Sequence, residues 1–167
     1  MNRKAVDRKN KSTRYAYIGI DEVGRGPLAG PMVLAAVAGI PARQLSGIRD
    51  SKKLSPKARE IWYRKIRGMG RAHYAVLSAG LIDEKGISYA ARLGIARLLK
   101  RFEGFTGVVL LDGGLYAPKE YKQKTIIKGD EKEPLIAAAS IIAKVTRDRM
   151  MIRMHRVLPQ YDFAAHK

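Results

Sequence analysis

The sequence predicts an α/β domain built on a mixed sheet, and three observations carry that prediction. Two apolar strand-like runs, 15–21 and 32–40, are joined by a glycine- and proline-rich turn, the composition of an antiparallel hairpin. The later apolar runs alternate with segments of helical periodicity, the order of an α/β protein. With 167 residues, 46% of them hydrophobic, the chain is long enough to bury one sizeable core.

Residues 1–14, "MNRKAVDRKNKSTR", read as a flexible basic arm, and 15–167 as the folded domain. "YAYIGID" has strand composition, and "MVLAAVAGI" is its expected antiparallel partner. Ser55 is the expected N-cap of a helix with Pro56 at its first position, and Leu54, Ile61, Trp62 and Ile66 supply its apolar face. "AHYAVLSAG" is a third strand, and Ser88 to Phe102 an amphipathic helix with Ala91, Leu93, Ile95, Leu98 and Leu99 inward. "GVVLLDGG" is a short continuous apolar run ended by Asp112, as in a strand buried on both faces. "KTIIKGD" ends likewise in Asp130. A long helix follows, with Pro134 near its first turn and Pro159 beyond its end.

Charge points to the partner. Lys and Arg number 33 against 15 Asp and Glu, a net charge of +18. A pI near 10.4 indicates a polyanion, of which nucleic acid is the usual one. A merely basic surface, or a ribosome-associated protein, is the plainer alternative. With no Cys there is neither a disulfide framework nor a thiolate metal site. No apolar run reaches the ~18 residues that span a bilayer, and the basic N-terminus lacks the apolar stretch of a secretory signal. A cytoplasmic, monomeric protein without membrane contact is therefore expected.

Acids on such a chain need a reason. Three predicted strands end in carboxylates: Asp21 with Glu22, Asp112, and Asp130. The carboxyl ends of strands are where ligands gather in open α/β sheets. Acids converging there repel one another unless cations join them. Oxygen donors without Cys or a spaced His pair suit a hard ion, Mg²⁺ or Mn²⁺, and two such ions activate water and stabilise the leaving oxygen in phosphodiester cleavage. Each Asp beside a glycine is, taken singly, more often a turn residue, so the joint pattern carries the weight. Asp148 is a rival for the fourth place. A start near Pro134 puts it ~20 Å along the helix, and Lys144, Arg147 and Arg149 around it explain it as a charge partner, so Asp130 is favoured. No His has a partner at ligand spacing, no Ser/His/Asp triad is legible, and "GRGPLAG" lacks the Lys-Ser/Thr of a P-loop.

"GIDEVGRGPLAGP" resembles the opening signature of ribonuclease HII, and the agreement continues through "DSKKLS", "LLDGG", "KGD", "AAASIIAKVTRDR" and "LPQYDF..HK", covering Tyr17 to Lys167 in the family's order. Arg25, where the related ribonuclease HIII has Thr, favours the HII branch. The resemblance implies a ribonuclease H-like fold with a mixed five-stranded sheet flanked by helices. It implies metal-dependent endonucleolytic hydrolysis of the RNA strand of RNA/DNA hybrids, and cutting at ribonucleotides embedded in duplex DNA. On this resemblance Asp21, Glu22, Asp112 and Asp130 hold the Mg²⁺ or Mn²⁺ ions, and Asp148 falls outside the quartet.

The same resemblance places Gly24, Arg25 and Gly26 around the ribonucleotide, with backbone groups reaching its 2′-OH and Arg25 forking onto phosphate. Ser51, Lys52 and Lys53 look like a phosphate-holding loop that Lys128, Lys144 and Arg147 extend, with a solvated surface as an equal reading. Ser140 reads as a small residue for close packing. The family's Gly-Tyr segment, whose tyrosine stacks on the sugar next to the ribonucleotide, follows the pair matching His166–Lys167, where this sequence stops. The alternative to an active nuclease is thus a non-catalytic nucleic-acid-binding remnant.

Overall fold

The computed structural model describes residues 15–48 and 53–165, so the expected basic arm, Ser51, Lys52 and His166–Lys167 lie outside the described residues. Five strands form one sheet: β1 (Tyr17–Val23), β2 (Met32–Ala38), β3 (Arg71–Leu77), β4 (Val108–Asp112) and β5 (Gln123–Ile126), in the order β3-β2-β1-β4-β5. β1 and β2 form the expected antiparallel hairpin, with Asp21 opposite Ala35, and β3 continues it antiparallel. β4 runs parallel to β1, and β5 parallel to β4. The chain leaves β1 towards β2 on one side and returns through β4 on the other. The topological switch point therefore lies between the carboxyl ends of β1 and β4.

Helices cover both faces. α1 (Pro56–Met69) begins as expected, with the Ser55 hydroxyl accepting from the Ala58 N–H and Pro56 at the first position. α2 (Ala79–Lys85) and α3 (Ile87–Leu99) pack on one face, and α5 (Pro134–Val157) lies with α1 on the other. Strand alternation divides the core accordingly. Ile18, Ile20, Val109 and Leu111 pack towards α3, while Val33, Ala35 and Val37 meet the alanine-rich part of α5.

α5 approaches β1 so closely that a Cβ on Gly19 would lie 2.3 Å from the Leu135 carbonyl carbon. Small residues at 137–139 serve the same contact, which is why a helix this alanine-rich is buried along its first half. Two elements differ from expectation. Ser78 caps α2, so β3 ends at Leu77 and the strand-like run 72–80 is divided by a helix N-terminus. Asp130 does not end a strand. β5 stops at Ile126, and Gly129–Lys132 form a one-turn helix, α4, that holds it.

Candidate active site and metal centre

Asp21 and Glu22 are the fifth and sixth residues of β1, just where its pairing with β4 ends at Ile20–Leu111. Asp112 ends β4 one residue later, so Asp21 and Asp112 stand abreast on neighbouring parallel strands. Both point to the face covered by α5, because Gly19 and Leu110 are their partners in alternation. Glu22 points to the other face at the end of the strand.

Asp21 is buried at 5% exposure, and its carboxylate accepts the Glu22 N–H at 2.7 Å and a hydrogen bond from the Ser140 hydroxyl of α5. Burial, then the neighbouring Glu22, raise its pKa well above the ordinary carboxylate value, and Asp112 adds to the effect. Glu22 is raised as well, by burial first, against the opposing pull of Arg25. Its Oε1 lies 3.4 Å from the Arg25 guanidinium, while its Oε2 is buried without a hydrogen-bond partner. Asp112 accepts the Gly129 N–H at 2.5 Å, which ties α4 to the end of β4 and brings the chain at Asp130 beside this group.

Asp130 itself is buried and lines a cavity with Lys53, Glu133 and the 3-10 turn at Ala42–Leu45. Among the described residues, no three His, Asp or Glu side chains are gathered closely enough to hold an ion as they stand. The chemistry of the donors nevertheless fits one. Two carboxyls with raised pKa values, a third acid in their field and an orphaned buried oxygen are what a hard divalent cation compensates.

The loop after β1 is pinned from α5. Arg147 is buried, donating through Nε to the Pro31 carbonyl at 3.0 Å and through Nη2 to the Ala29 carbonyl at 3.0 Å. It faces this loop rather than the open surface, which corrects its expected part in a phosphate-holding surface. Gly24 has φ +97°, and a Cβ there would meet Arg147 Nε and the Pro31 oxygen, both at 2.6 Å. Glycine is thus required at 24 by the fold alone. Gly26 is different: among the described residues a Cβ there meets nothing within 4 Å, so its bareness serves no contact with them. Arg25 between them is exposed.

Ser140, Lys144, Arg147 and Met151 follow at intervals of four, three and four, one stripe of α5 running past the site. Ser140 reaches Asp21 and Arg147 reaches the loop, so the helix does cross the site. The distance from the helix start thus loses its force against Asp148. Asp148 is instead accounted for by its ion pair with Lys144 at 2.8 Å. Lys53 and Lys128 are exposed, and Lys128 precedes Gly129 with left-handed backbone, φ 54°. Ser140 is the residue sequence reasoning missed. The signal was its helical spacing from Arg147, legible only once α5 is known to lie on the α5-facing acids.

The chain is similar to several known ribonucleases. A family model described as Ribonuclease HII matches residues 18–167. A ribonuclease HII from Aliarcobacter butzleri is 43% identical over 149 residues, spanning 89% of this chain and 76% of that protein. A chain of the PCNA:RNase HII complex from Archaeoglobus fulgidus is similar with a TM-score of 0.76 at 33% identity, over 86% of this chain and 78% of that one. Bst-RNase HIII in complex with Mn²⁺ shares the fold, with a TM-score of 0.73 at 22% identity, over 87% of this chain and 56% of that one.

Proposed function

The chain belongs to the ribonuclease HII family, endonucleases that hydrolyse RNA in RNA/DNA hybrids with divalent metal, and from that premise we propose how its own residues do so. Asp21, Glu22, Asp112 and Asp130 would hold Mg²⁺ or Mn²⁺ at the carboxyl ends of β1 and β4. Ions bound there supply the Lewis acidity and the activated water of phosphodiester hydrolysis. Ser140 holds the Asp21 carboxylate in place, and Arg147 holds the loop that carries Gly24, Arg25 and Gly26. Arg25 receives phosphate, while the backbone at Gly26 approaches the ribose and reads its 2′-OH. Lys53, Lys128 and Lys144 contribute positive charge to the strand's path, and Ser51 and Lys52, next to Lys53 in sequence, belong to the same proposed contact. A cytoplasmic monomer that also cuts at ribonucleotides embedded in duplex DNA completes the reading.

The observation that carries it is the group of buried, mutually repelling acids at the switch point of the sheet, followed three residues after β1 by an open, Cβ-free backbone at Gly26. The test is cleavage of a duplex carrying one ribonucleotide beside a full RNA/DNA hybrid, with Mg²⁺ or Mn²⁺. Cutting of both, lost in Asp112→Asn, is expected. Duplex binding without any cutting would favour the non-catalytic alternative. Cutting that persists in Asp130→Asn and vanishes in Asp148→Asn would exchange those two residues.

A further inference from the structure

The cations described so far have counter-ions or neighbours in the site. A second group does not. At the amino end of edge strand β3, Arg71 and His73 meet Lys100 and Arg101, which follow α3, and Arg67 from the last turn of α1, around an open cleft with Glu103 on its rim. Arg67 donates through Nη1 to the Ala72 carbonyl at 2.8 Å, which leaves the rest of its guanidinium at the cleft. Arg71, Lys100, Arg101 and Glu103 make no ion pair among the described residues. Elsewhere the exposed Arg64 and Arg149 share Glu60, and Lys85 pairs with Glu84.

His73 sits at the middle of this cluster, its ring edge-on to Phe102 with centroids 5.2 Å apart. Burial first, and then Arg71, Arg101 and Arg67, lower its pKa, so the imidazole experiences the same unrelieved positive field that a bound anion would. The pairing of Ala38 with Arg71 puts the cleft three rows from the Asp21–Ala35 pair and two strands over, about 10 Å in each direction. His73 faces the α3 side, whereas Asp21 faces α5. The cleft is therefore separate from the acid site.

We propose that this cleft is a second binding site, for a phosphoryl group, formed by Arg67, Arg71, Lys100 and Arg101 converging on His73. The guanidiniums of Arg71 and Arg101 offer forked donors to phosphate oxygens, the rest of the Arg67 guanidinium and the Lys100 ammonium add charge, and the His73 imidazole supplies a further donor. The phosphoryl group belongs either to a free phosphorylated compound or to the backbone of a nucleic acid segment outside the catalytic contact.

The test is nuclear magnetic resonance of the histidine ring signals during titration with inorganic phosphate, with chloride at matched ionic strength as the control. His155, whose Nδ1 lies 3.6 Å from an Asp162 oxygen, is the internal reference. Saturable movement of the His73 signals alone, with an upward move of the His73 titration midpoint, is expected. Both effects should be lost in Arg71→Gln and in Arg101→Gln, with far-ultraviolet circular dichroism unchanged. Movement that fails to saturate, that His155 shares equally, or that survives both substitutions overturns the site. A ribonucleotide-free DNA duplex separates the sources. If it displaces phosphate, and each substitution lowers the salt slope of duplex affinity by about one contact, the ligand is backbone phosphate. If phosphate binding persists beside bound duplex and the slope is unchanged, the ligand is a free phosphoryl compound.

Discussion

Asp21 is held in a position that is costly for a carboxylate, buried beside Glu22 and in the field of Asp112. Its pKa is raised, so the sign of the pH effect follows directly. The folded state binds the proton more tightly than the unfolded chain, so the stability this group contributes is whole below about pH 4 and is lost as pH rises through the folded value. Without metal, the melting temperature is expected to fall as pH rises above that range. Asp21→Asn, which keeps the acceptor for Ser140 and Glu22, should raise it near neutrality and give no gain below about pH 4, as thermal scans across pH will show. Adding Mg²⁺ or Mn²⁺ should stabilise the natural protein and not this variant. Gly26→Ala tests the opposite property. With no atom within 4 Å of the new Cβ, the melting temperature should stay constant while KM for a ribonucleotide-containing duplex rises. Lys128→Gly relieves a left-handed backbone worth about 1–2 kcal/mol, so denaturant titration should show a gain even as duplex affinity falls.

At the scale of elements, α5 decides the geometry of the site. Its first half fits β1 through Gly19, its middle fixes Asp21 through Ser140, and its second half fixes the loop through Arg147. Ser140→Ala should leave the fold intact and reduce cleavage about 10- to 100-fold, mainly through weaker metal affinity, visible as a higher Mg²⁺ midpoint in activity titrations. Arg147→Met removes both hydrogen bonds to the loop. It should cost about 1–3 kcal/mol in denaturant unfolding, because the buried Pro31 carbonyl and the partly buried bond to the Ala29 carbonyl lose their charged donor. Of the helix starts legible in the sequence, Ser55–Pro56 and Pro134 rest on local chemistry, and that of α3, read at Ser88, rests on periodicity. The one-turn helix at Asp130 escaped it because four residues are too few to show a period.

Across the whole molecule, a sheet with its switch point between β1 and β4 collects the acids on a chain with 33 Lys and Arg against 15 Asp and Glu. Among the described residues no helix is long and apolar enough to cross a membrane. Duplex affinity should fall steeply and linearly with salt on logarithmic axes. The antiparallel hairpin, the mixed sheet and the acids Asp21, Glu22 and Asp112 at strand ends were all legible in the sequence. Alternation, turn residues and apolar run length are local properties that a chain displays before it folds. The role of Ser140, the inward turn of Arg147 and the meeting of Arg71 with Arg101 were not legible. Each depends on which helix face lies over which strand, and that is set by packing between residues far apart in the chain. So the sequence by itself determined the acids and the family to which the chain belongs. Only the tertiary structure decided which side chains hold those acids in place, because a buried hydrogen bond or an unrelieved cluster of charge exists only between surfaces that folding has brought together.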